Sequence, residues 1–127
     1  MQKAAHLKQC EDAEQACASY LKKQGLKLLE QNFHCRFGEI DLVMLDHTIL
    51  VFVEVRYRKN NHFGGALESI TPSKQQKIRR SAEYYLQHKR LQTPARFDVV
   101  AMSPAEQKSL FHRNRPHYTF NWIQNAF

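Results

Sequence analysis

The sequence lacks the patterns that mark several common kinds of site. Its three cysteines, Cys10, Cys17 and Cys35, are odd in number, so no disulfide framework follows from them. Neither CxxC nor HExxH spacing occurs among its cysteines and seven histidines, which leaves a zinc site with little support. No apolar run approaches the roughly 18 residues of a membrane span, and the N-terminus has no apolar signal-peptide core. We therefore expect a cytoplasmic protein with no membrane partner.

The length of the chain limits the number of its domains, and its charge indicates the class of its partner. No repeat, low-complexity segment or long linker divides the 127 residues, so we expect one domain over residues 1–127. Lys and Arg total 19 against 12 Asp and Glu, which gives a formal net charge of +7. Such an excess favours a polyanionic partner, but it also suits a protein kept soluble by its charge. Composition alone does not separate these alternatives.

The apolar pattern predicts a helix, three strands, a helix and two strands. The first helix covers residues 6–24 and ends at Gly25. Its apolar face consists of Leu7, Cys10, Ala13, Ala16, Cys17, Tyr20 and Leu21. Strand-like runs cover residues 26–35, 39–45, 49–57, 96–102 and 118–123, and residues 46–48 join the second and third as a hairpin. After a basic loop over residues 58–70, Thr71 and Pro72 begin a helix that runs to about residue 89 or 90. The fold class is therefore α/β, a mixed sheet flanked by helices, in which the pattern leaves the path of residues 103–117 open.

Glu14 does not fit the division of the first helix into apolar and polar faces. It lies four residues after Cys10 and three before Cys17, so its carboxylate projects within or beside the apolar face. Burying a carboxylate without a partner is costly. The side chain either reaches water or a lysine at the margin of this face, or it meets a metal ion or a cationic site residue.

Two acids and an arginine are expected at the mouth of the core. The apolar strand that begins at Ile49 ends with Glu54 and Arg56, which share a face because they lie two residues apart. In the neighbouring strand Asp41 shares a face with Val43, and the short connection would bring Asp41 near Glu54. Two carboxylates this close need a neutralising cation, and Mg²⁺ is the expected ion. A structural ion pair between one acid and Arg56 would also explain these residues.

In their order along the chain, these motifs resemble a known nuclease core. Gly-Glu-Ile-Asp, a hairpin and an apolar strand ending in Glu-Val-Arg, with Glu14 on the preceding helix, are similar to the PD-(D/E)XK core of the restriction endonuclease-like fold. More narrowly, the chain resembles the YraN family of small bacterial candidate endonucleases, which are related in fold to archaeal Holliday junction resolvases. The matching segments are Ala13-Glu14, Arg36–Leu42, Val51–Arg58, Phe63-Gly64, Lys74, Lys77, Ala82–Leu86, Arg96–Val100 and Asn125–Phe127.

The resemblance implies roles for individual residues. Asp41 and Glu54 correspond to the metal-binding acids, Val55 contributes its backbone carbonyl, and Glu14 corresponds to the helix glutamate that supports the metal. Arg56 departs from the pattern, because the superfamily usually has lysine there. Arginine can hold a phosphate oxygen but does not lose its proton near neutral pH, so it cannot serve as a general base. We therefore expect Mg²⁺ or Mn²⁺ to activate the attacking water, with Asp41, Glu54 and Arg56 as the catalytic residues.

Basic residues cluster in sequence around these acids. We expect Arg58, Lys59, Lys74, Lys77 and Arg80 to contact a phosphate backbone. Lys77 and Arg80 would equally suit the solvated face of a helix. No helix-turn-helix, zinc-finger or RNA-recognition motif is visible, so we expect binding that is nonspecific or selective for structure.

The sequence therefore predicts a metal-dependent DNA endonuclease, a hydrolase that cuts phosphodiester bonds in branched or otherwise structured DNA during repair or recombination. RNA is not excluded as a partner, and cutting both strands of a junction would favour a homodimer. The alternative is a nuclease-fold protein with weak or no catalysis that acts as a nucleic-acid-binding module. A protein-interaction domain without a nucleic-acid role ranks last.

Overall fold

Helices and strands follow one another in the order that the apolar pattern predicts, with one short helix added. The computed structural model describes residues 2–59, 64–105 and 117–127, except for the side chains of residues 2–8 and 64. The elements of this part of the chain are α1 Gln2–Lys23, β1 Lys27–Cys35, β2 Gly38–Asp46, β3 Ile49–Tyr57, α2 Gly64–Glu68, α3 Pro72–His88, β4 Ala95–Pro104 and β5 Tyr118–Ile123. Helix α2 lies in the segment predicted as a basic loop. Phe63 and most of the connection predicted over residues 103–117 lie outside the described residues.

The strands form one mixed sheet in the order β1-β2-β3-β4-β5. Neighbouring strands are antiparallel except β3 and β4, which are parallel. A parallel pair needs a crossover connection, and the segment that carries α2 and α3 provides it. Strands β2 and β3 are joined by His47 and Thr48, where His47 has a positive φ of 56°. The predicted mixed α/β architecture is therefore confirmed.

The two long helices cover opposite faces of the sheet. Helix α1 packs Ala13, Cys17, Ala18 and Leu21 against Leu42, Met44, Val51, Val53, Val100 and Met102. Helix α3 packs Ala82 and Tyr85 against Phe33, Ile40, Val43, Leu50 and Phe52. Because β2 and β3 contribute to both clusters, they read as nearly continuous apolar runs. A polar side chain at their ends therefore lies directly against the core.

The prediction for one residue of the apolar face of α1 is wrong. Cys10 is exposed, because the buried part of the helix begins one turn later, at Ala13. The side chain of Leu7 lies outside the described residues. The other predicted members of this face from Ala13 onward lie in the α1 cluster or pack against it.

Strands β1 and β2 are irregular beside Asp41. The register shifts between Leu28 and Glu30, and Asn32 has a positive φ of 55°. Ile40 packs in the same cluster as Val43, although strict alternation would put these residues on opposite faces. The regular alternation predicted through Asp41 therefore does not hold, since β2 changes face at this point.

Helix α3 begins as the sequence predicts. Thr71 is its N-cap, and the Thr71 hydroxyl accepts a hydrogen bond from the Lys74 backbone N–H at 3.2 Å. Pro72 occupies the first turn, where its missing N–H costs nothing. This cap fixes the first turn of α3 beside the end of β3.

The C-terminal segment is tied to β4 by a buried carboxylate. Asp98 is fully buried and accepts hydrogen bonds from Trp122 Nε1 and the Asn125 backbone N–H, both at 2.9 Å. The Arg96 guanidinium pairs with the same carboxylate at 3.1 Å. Asp98 therefore has a structural role, since its carboxylate joins β4 to the C-terminal segment. No helix in the described part of the chain is long and apolar enough to span a membrane.

Candidate active site

Asp41 and Glu54 meet where β2 and β3 leave their regular ladder. Backbone pairing runs from Asp46 opposite Ile49 to Leu42 opposite Val53. Beyond it, Asp41 Oδ2 accepts a hydrogen bond of 2.8 Å from the Val55 backbone N–H. The predicted approach of Asp41 to the Glu54 end of β3 is therefore confirmed, and this hydrogen bond fixes the Asp41 carboxyl.

Burial and repulsion favour the protonated form of Asp41. Desolvation is the largest cause, the charge of Glu54 adds to it, and together they raise the pKa of Asp41 to about 8. The hydrogen bond from the Val55 backbone N–H opposes this shift, while the charges of Glu14 and Glu39 reinforce it. A cation placed among these carboxylates would relieve both the repulsion and the cost of burying the charge.

Glu14 belongs to the same group of carboxylates. Its Oε2 atom is buried and has no hydrogen-bond partner in the described part of the chain. Burial raises the pKa of Glu14, hydrogen bonds with the Asn32 and Asp41 side chains lower it, and the charges of Glu39 and Glu54 raise it further. Of the two interpretations open from the sequence, the structure favours the one in which Glu14 faces the site.

Glu54 is held between two cations. Its side chain is 8% exposed, and Oε1 lies 3.5 Å from Arg56 Nη2 and 3.4 Å from Lys74 Nζ. The Arg56 contact is an ion pair without hydrogen-bond geometry, because Arg56 Nε and Nη2 have no hydrogen-bond partner among the described residues. The ion pair that the sequence allowed between Glu54 and Arg56 is present, but it leaves donors of Arg56 unused.

A cavity of about 290 Å³ opens beside Glu54. Glu39 and Glu54 lie on the sheet side, and the first turns of α3 contribute Thr71, Ser73, Lys74 and Lys77. The N-terminal end of a helix favours anions, as do lysines. The cavity therefore places cationic groups next to the acids.

The remaining predicted phosphate-binding residues, Arg58, Lys59 and Arg80, do not line this cavity. Arg58 and Lys59 are exposed just beyond the end of β3. Lys77 and Arg80 are exposed on α3, and Arg80 lines a separate cavity with Arg36 and Phe37. The structure thus brings Lys74 and Lys77 to the acids and places Arg80 farther along the helix.

The residues fit a divalent ion that completes its shell with other ligands. Within the described ranges, no group of three or more His, Cys, Asp and Glu side chains could hold a metal ion by itself. The predicted Mg²⁺ site does not require such a group of three, because Mg²⁺ binds proteins through one or two carboxylates and keeps waters and substrate phosphates as its other ligands. The unpartnered Oε2 of Glu14 and the raised pKa of Asp41 both fit a cation here. Asp41, Glu54 and the Val55 carbonyl would hold it.

The sequence prediction missed one participant, Asn32, and one contact, that of Lys74 with Glu54. Asn32 bonds to Glu14, and its signal was the break that it makes in the alternation of β1. Lys74 was expected on the DNA surface, but its pairing with Glu54 joins two elements distant in sequence. No local pattern indicates that contact.

Comparisons with known proteins place the chain in a family over most of its length. The model of "Uncharacterised protein family UPF0102" matches residues 13–102. A UPF0102 protein of Pseudomonas fluorescens is 46% identical over 125 residues, which cover 97% of this chain and 95% of that protein. One of Psychromonas ingrahamii is 50% identical over 115 residues, covering 91% and 85%, and one of Nitrosococcus oceani is 48% identical over 129, covering 100% and 97%. The chain therefore belongs to the UPF0102 family, the YraN group related to PD-(D/E)XK nucleases.

Proposed function

We propose that this protein is a metal-dependent endonuclease that hydrolyses phosphodiester bonds in DNA, with branched or otherwise structured DNA as its substrate in repair or recombination. The observation that carries the proposal is the convergence of Asp41, Glu54 and Glu14 beside Arg56 and Lys74. Besides burial, the charge of Glu54 helps to raise the pKa of both Asp41 and Glu14, so a divalent cation is favoured here, and the neighbouring cations suit a phosphate. A divalent cation and a phosphate would therefore both find complementary groups at one place.

Each residue of the site has a chemical part in this proposal. Asp41 and Glu54, with the Val55 carbonyl, would hold Mg²⁺ or Mn²⁺, which when bound lowers the pKa of a coordinated water and so supplies the nucleophile. Arg56 has unused donors, Nε and Nη2, with which to bind a phosphate oxygen and stabilise developing negative charge. Glu14 has a raised pKa and a free buried oxygen, which suit it to accept a proton.

The surface around the site supports a polyanionic substrate. Lys77 lines the cavity next to Glu54, and Arg58, Lys59 and Arg80 are exposed on the neighbouring elements. These side chains supply phosphate contacts, which give affinity and orientation without reading base sequence. A cytoplasmic location and a homodimer that cuts both strands of a junction belong to the same proposal.

Cleavage assays test the proposal directly. Purified protein is incubated with labelled junction, flap and linear DNA in the presence of Mg²⁺ or Mn²⁺. We expect the wild type to cut at least one substrate and the Asp41→Asn and Glu54→Gln variants to lose this activity. Asp46→Asn is the matched control, because Asp46 lies at the opposite end of the same hairpin. If the wild type cuts no substrate above the level of the two site variants, the proposal is wrong.

A second function is favoured by one observation, the pairing of Glu54 with both Arg56 and Lys74. A site neutralised by its own cations would suit a nucleic-acid-binding module with weak or no catalysis. This function predicts DNA binding that persists with a chelator and in the Asp41→Asn, Glu54→Gln double variant. Fluorescence anisotropy measures that binding, and a gain of cleavage in Arg56→Lys would argue for the enzyme instead.

A further inference from the structure

Helix α3 brings a lysine into the site from outside the hairpin that carries the acids. Lys74 Nζ lies 3.4 Å from Glu54 Oε1. The Glu54 side chain is 8% exposed, whereas that of Lys74 is 43% exposed. An ammonium group has three donors, so the contact with Glu54 leaves donors for a second partner. Lys74 therefore stands between a nearly buried carboxylate and solvent.

Lys74 and Arg56 contact the same oxygen but differ in accessibility. The Arg56 side chain is 17% exposed and lies 3.5 Å from Glu54 Oε1. Only Lys74 of these two cations lines the cavity beside Glu54. A phosphate that enters through this cavity reaches Lys74 before it reaches Arg56.

The cavity has the size and polarity for a phosphodiester group. A volume of about 290 Å³ is several times the share of a water molecule in the liquid, about 30 Å³. Thr71 and Ser73, at the start of α3, line it together with Lys77. Helix α3 has 17 residues, and its dipole adds to the attraction of the lysines for an anion.

We propose that Lys74 is a catalytic residue that binds the scissile phosphate together with Arg56 and meets it first, because Lys74 lines the cavity and Arg56 does not. This inference rests on the proposed nuclease function. Without substrate, the Lys74 ammonium neutralises Glu54. When the phosphate enters, the ammonium exchanges the carboxylate oxygen for a non-bridging phosphate oxygen, and Glu54 becomes available as a metal ligand. One lysine thus stabilises the empty site and orients the substrate in the occupied one.

The test compares Lys74→Met with the wild type in single-turnover cleavage at saturating DNA and Mg²⁺. We expect the rate to fall by about a hundredfold, the usual effect of removing one donor that stabilises transition-state charge. Mn²⁺ binding without DNA, followed by electron paramagnetic resonance, should be as tight or tighter, because Glu54 loses its competing cation. Lys23→Met removes the same charge from the exposed end of α1 and should leave the rate unchanged.

Further variants separate catalysis from structure. The double variant Arg56→Lys, Lys74→Met places a lysine amine on Glu54 again, so it should recover part of the rate without recovering stability. Lys74→Arg keeps the charge beside Glu54, so it should fold even if Lys74→Met does not, and it should retain more activity than Lys74→Met. Urea unfolding of each variant reports stability separately.

The possible outcomes distinguish the two proposals. If the wild type cleaves DNA and Lys74→Met cleaves at the same rate, the inference about Lys74 is wrong and the nuclease function stands. A rate that falls only in proportion to the folded fraction, with no recovery in the double variant, also overturns it. If the wild type does not cleave, the proposed nuclease function is wrong, and the catalytic role of Lys74, which depends on it, is wrong as well.

Discussion

Replacing Asp41 with asparagine is expected to stabilise the metal-free protein at slightly alkaline pH. Burial and the charge of Glu54 raise the pKa of Asp41 from 3.8 to about 8. The folded protein therefore keeps a proton that the unfolded chain releases, so the free energy of unfolding falls as pH rises from about 4 to about 8. Each pKa unit corresponds to about 1.4 kcal/mol, so a shift of about four units makes the loss on the order of 5 kcal/mol. Asparagine does not titrate, so the Asp41→Asn variant should not lose this part of its free energy of unfolding as pH rises.

Urea unfolding with a chelator present, at about pH 5 and about pH 8, measures this effect. The chain has a single tryptophan, Trp122, whose indole N–H bonds to the buried Asp98, so its fluorescence reports loss of the fold. Wild type should lose stability between these pH values, and Asp41→Asn should lose much less. Millimolar Mg²⁺ should restore the wild type at the higher pH and affect the variant little. Parallel pH dependence of the two proteins would refute the reasoning.

Asp46→Asn is the control, and its effect on stability is expected to be opposite to that of Asp41→Asn. Hydrogen bonds from His47 and Arg96 lower the pKa of Asp46, so this carboxylate contributes stability that is present above about pH 4 and is lost as pH falls through its lowered pKa. Asp46→Asn should therefore lose stability at about pH 8, where Asp41→Asn gains it. A general effect of removing a negative charge from this basic protein would instead change both variants in the same direction.

Three further predictions concern the surface, the C-terminal anchor and the turn before β2. Lys77→Met and Arg80→Met should each reduce the slope of log binding constant against log salt by about 1, measured by anisotropy, and an unchanged slope would remove that residue from the DNA contact surface. Asp98→Ala should cost about 3–5 kcal/mol in urea unfolding, because it leaves the cation and donors around this buried carboxylate unpaired, and a loss within error would contradict that role. Gly38→Ala should cost about 1–3 kcal/mol, because φ there is 146°, a backbone conformation that residues with a side chain rarely adopt. Gly65→Ala, with open space around its Cβ, is the control for thermal unfolding and should be neutral or stabilising.

The meeting of the two acids could be predicted because it depends on local pairing. Strands joined by a short connection pair with their immediate neighbours, so the positions of Asp41 and Glu54 along the hairpin were enough to bring them together. The detail differs, since β2 changes face beside Asn32 and the Asp41 carboxyl bonds to the Val55 backbone. A period of two describes a strand only while its ladder is regular.

The partners supplied by α3 could not be predicted in the same way. Lys74, Lys77 and Arg79 are all cations near the start of one helix, and sequence spacing does not decide which of them meets the sheet. In the structure Lys74 pairs with Glu54, whereas the Arg79 guanidinium lies 5.0 Å from the centre of the Phe97 ring. The difference arises from how the crossover docks on the sheet.

Glu14 shows what a local misfit can and cannot reveal. Its place beside an apolar helix face indicated a side chain that needs a partner, but water, a lysine and a site were all consistent with it. The choice was made by the packing of α1, which turns Glu14 toward Asp41 and Asn32. The exposure of Cys10 has the same origin, because burial on α1 starts only at Ala13.

The parallel pairing of β3 with β4 has a consequence for the order of folding. Strands β2 and β3 close through His47 and Thr48, a short loop with a small entropic cost, whereas β4 can join β3 only after the whole crossover is in place. Lys74 is part of that crossover, since it lies in α3. We therefore expect the acids of the hairpin to approach one another during folding before Lys74 reaches Glu54. Pairing of β4 with β3 and of Lys74 with Glu54 is then expected in the same late step.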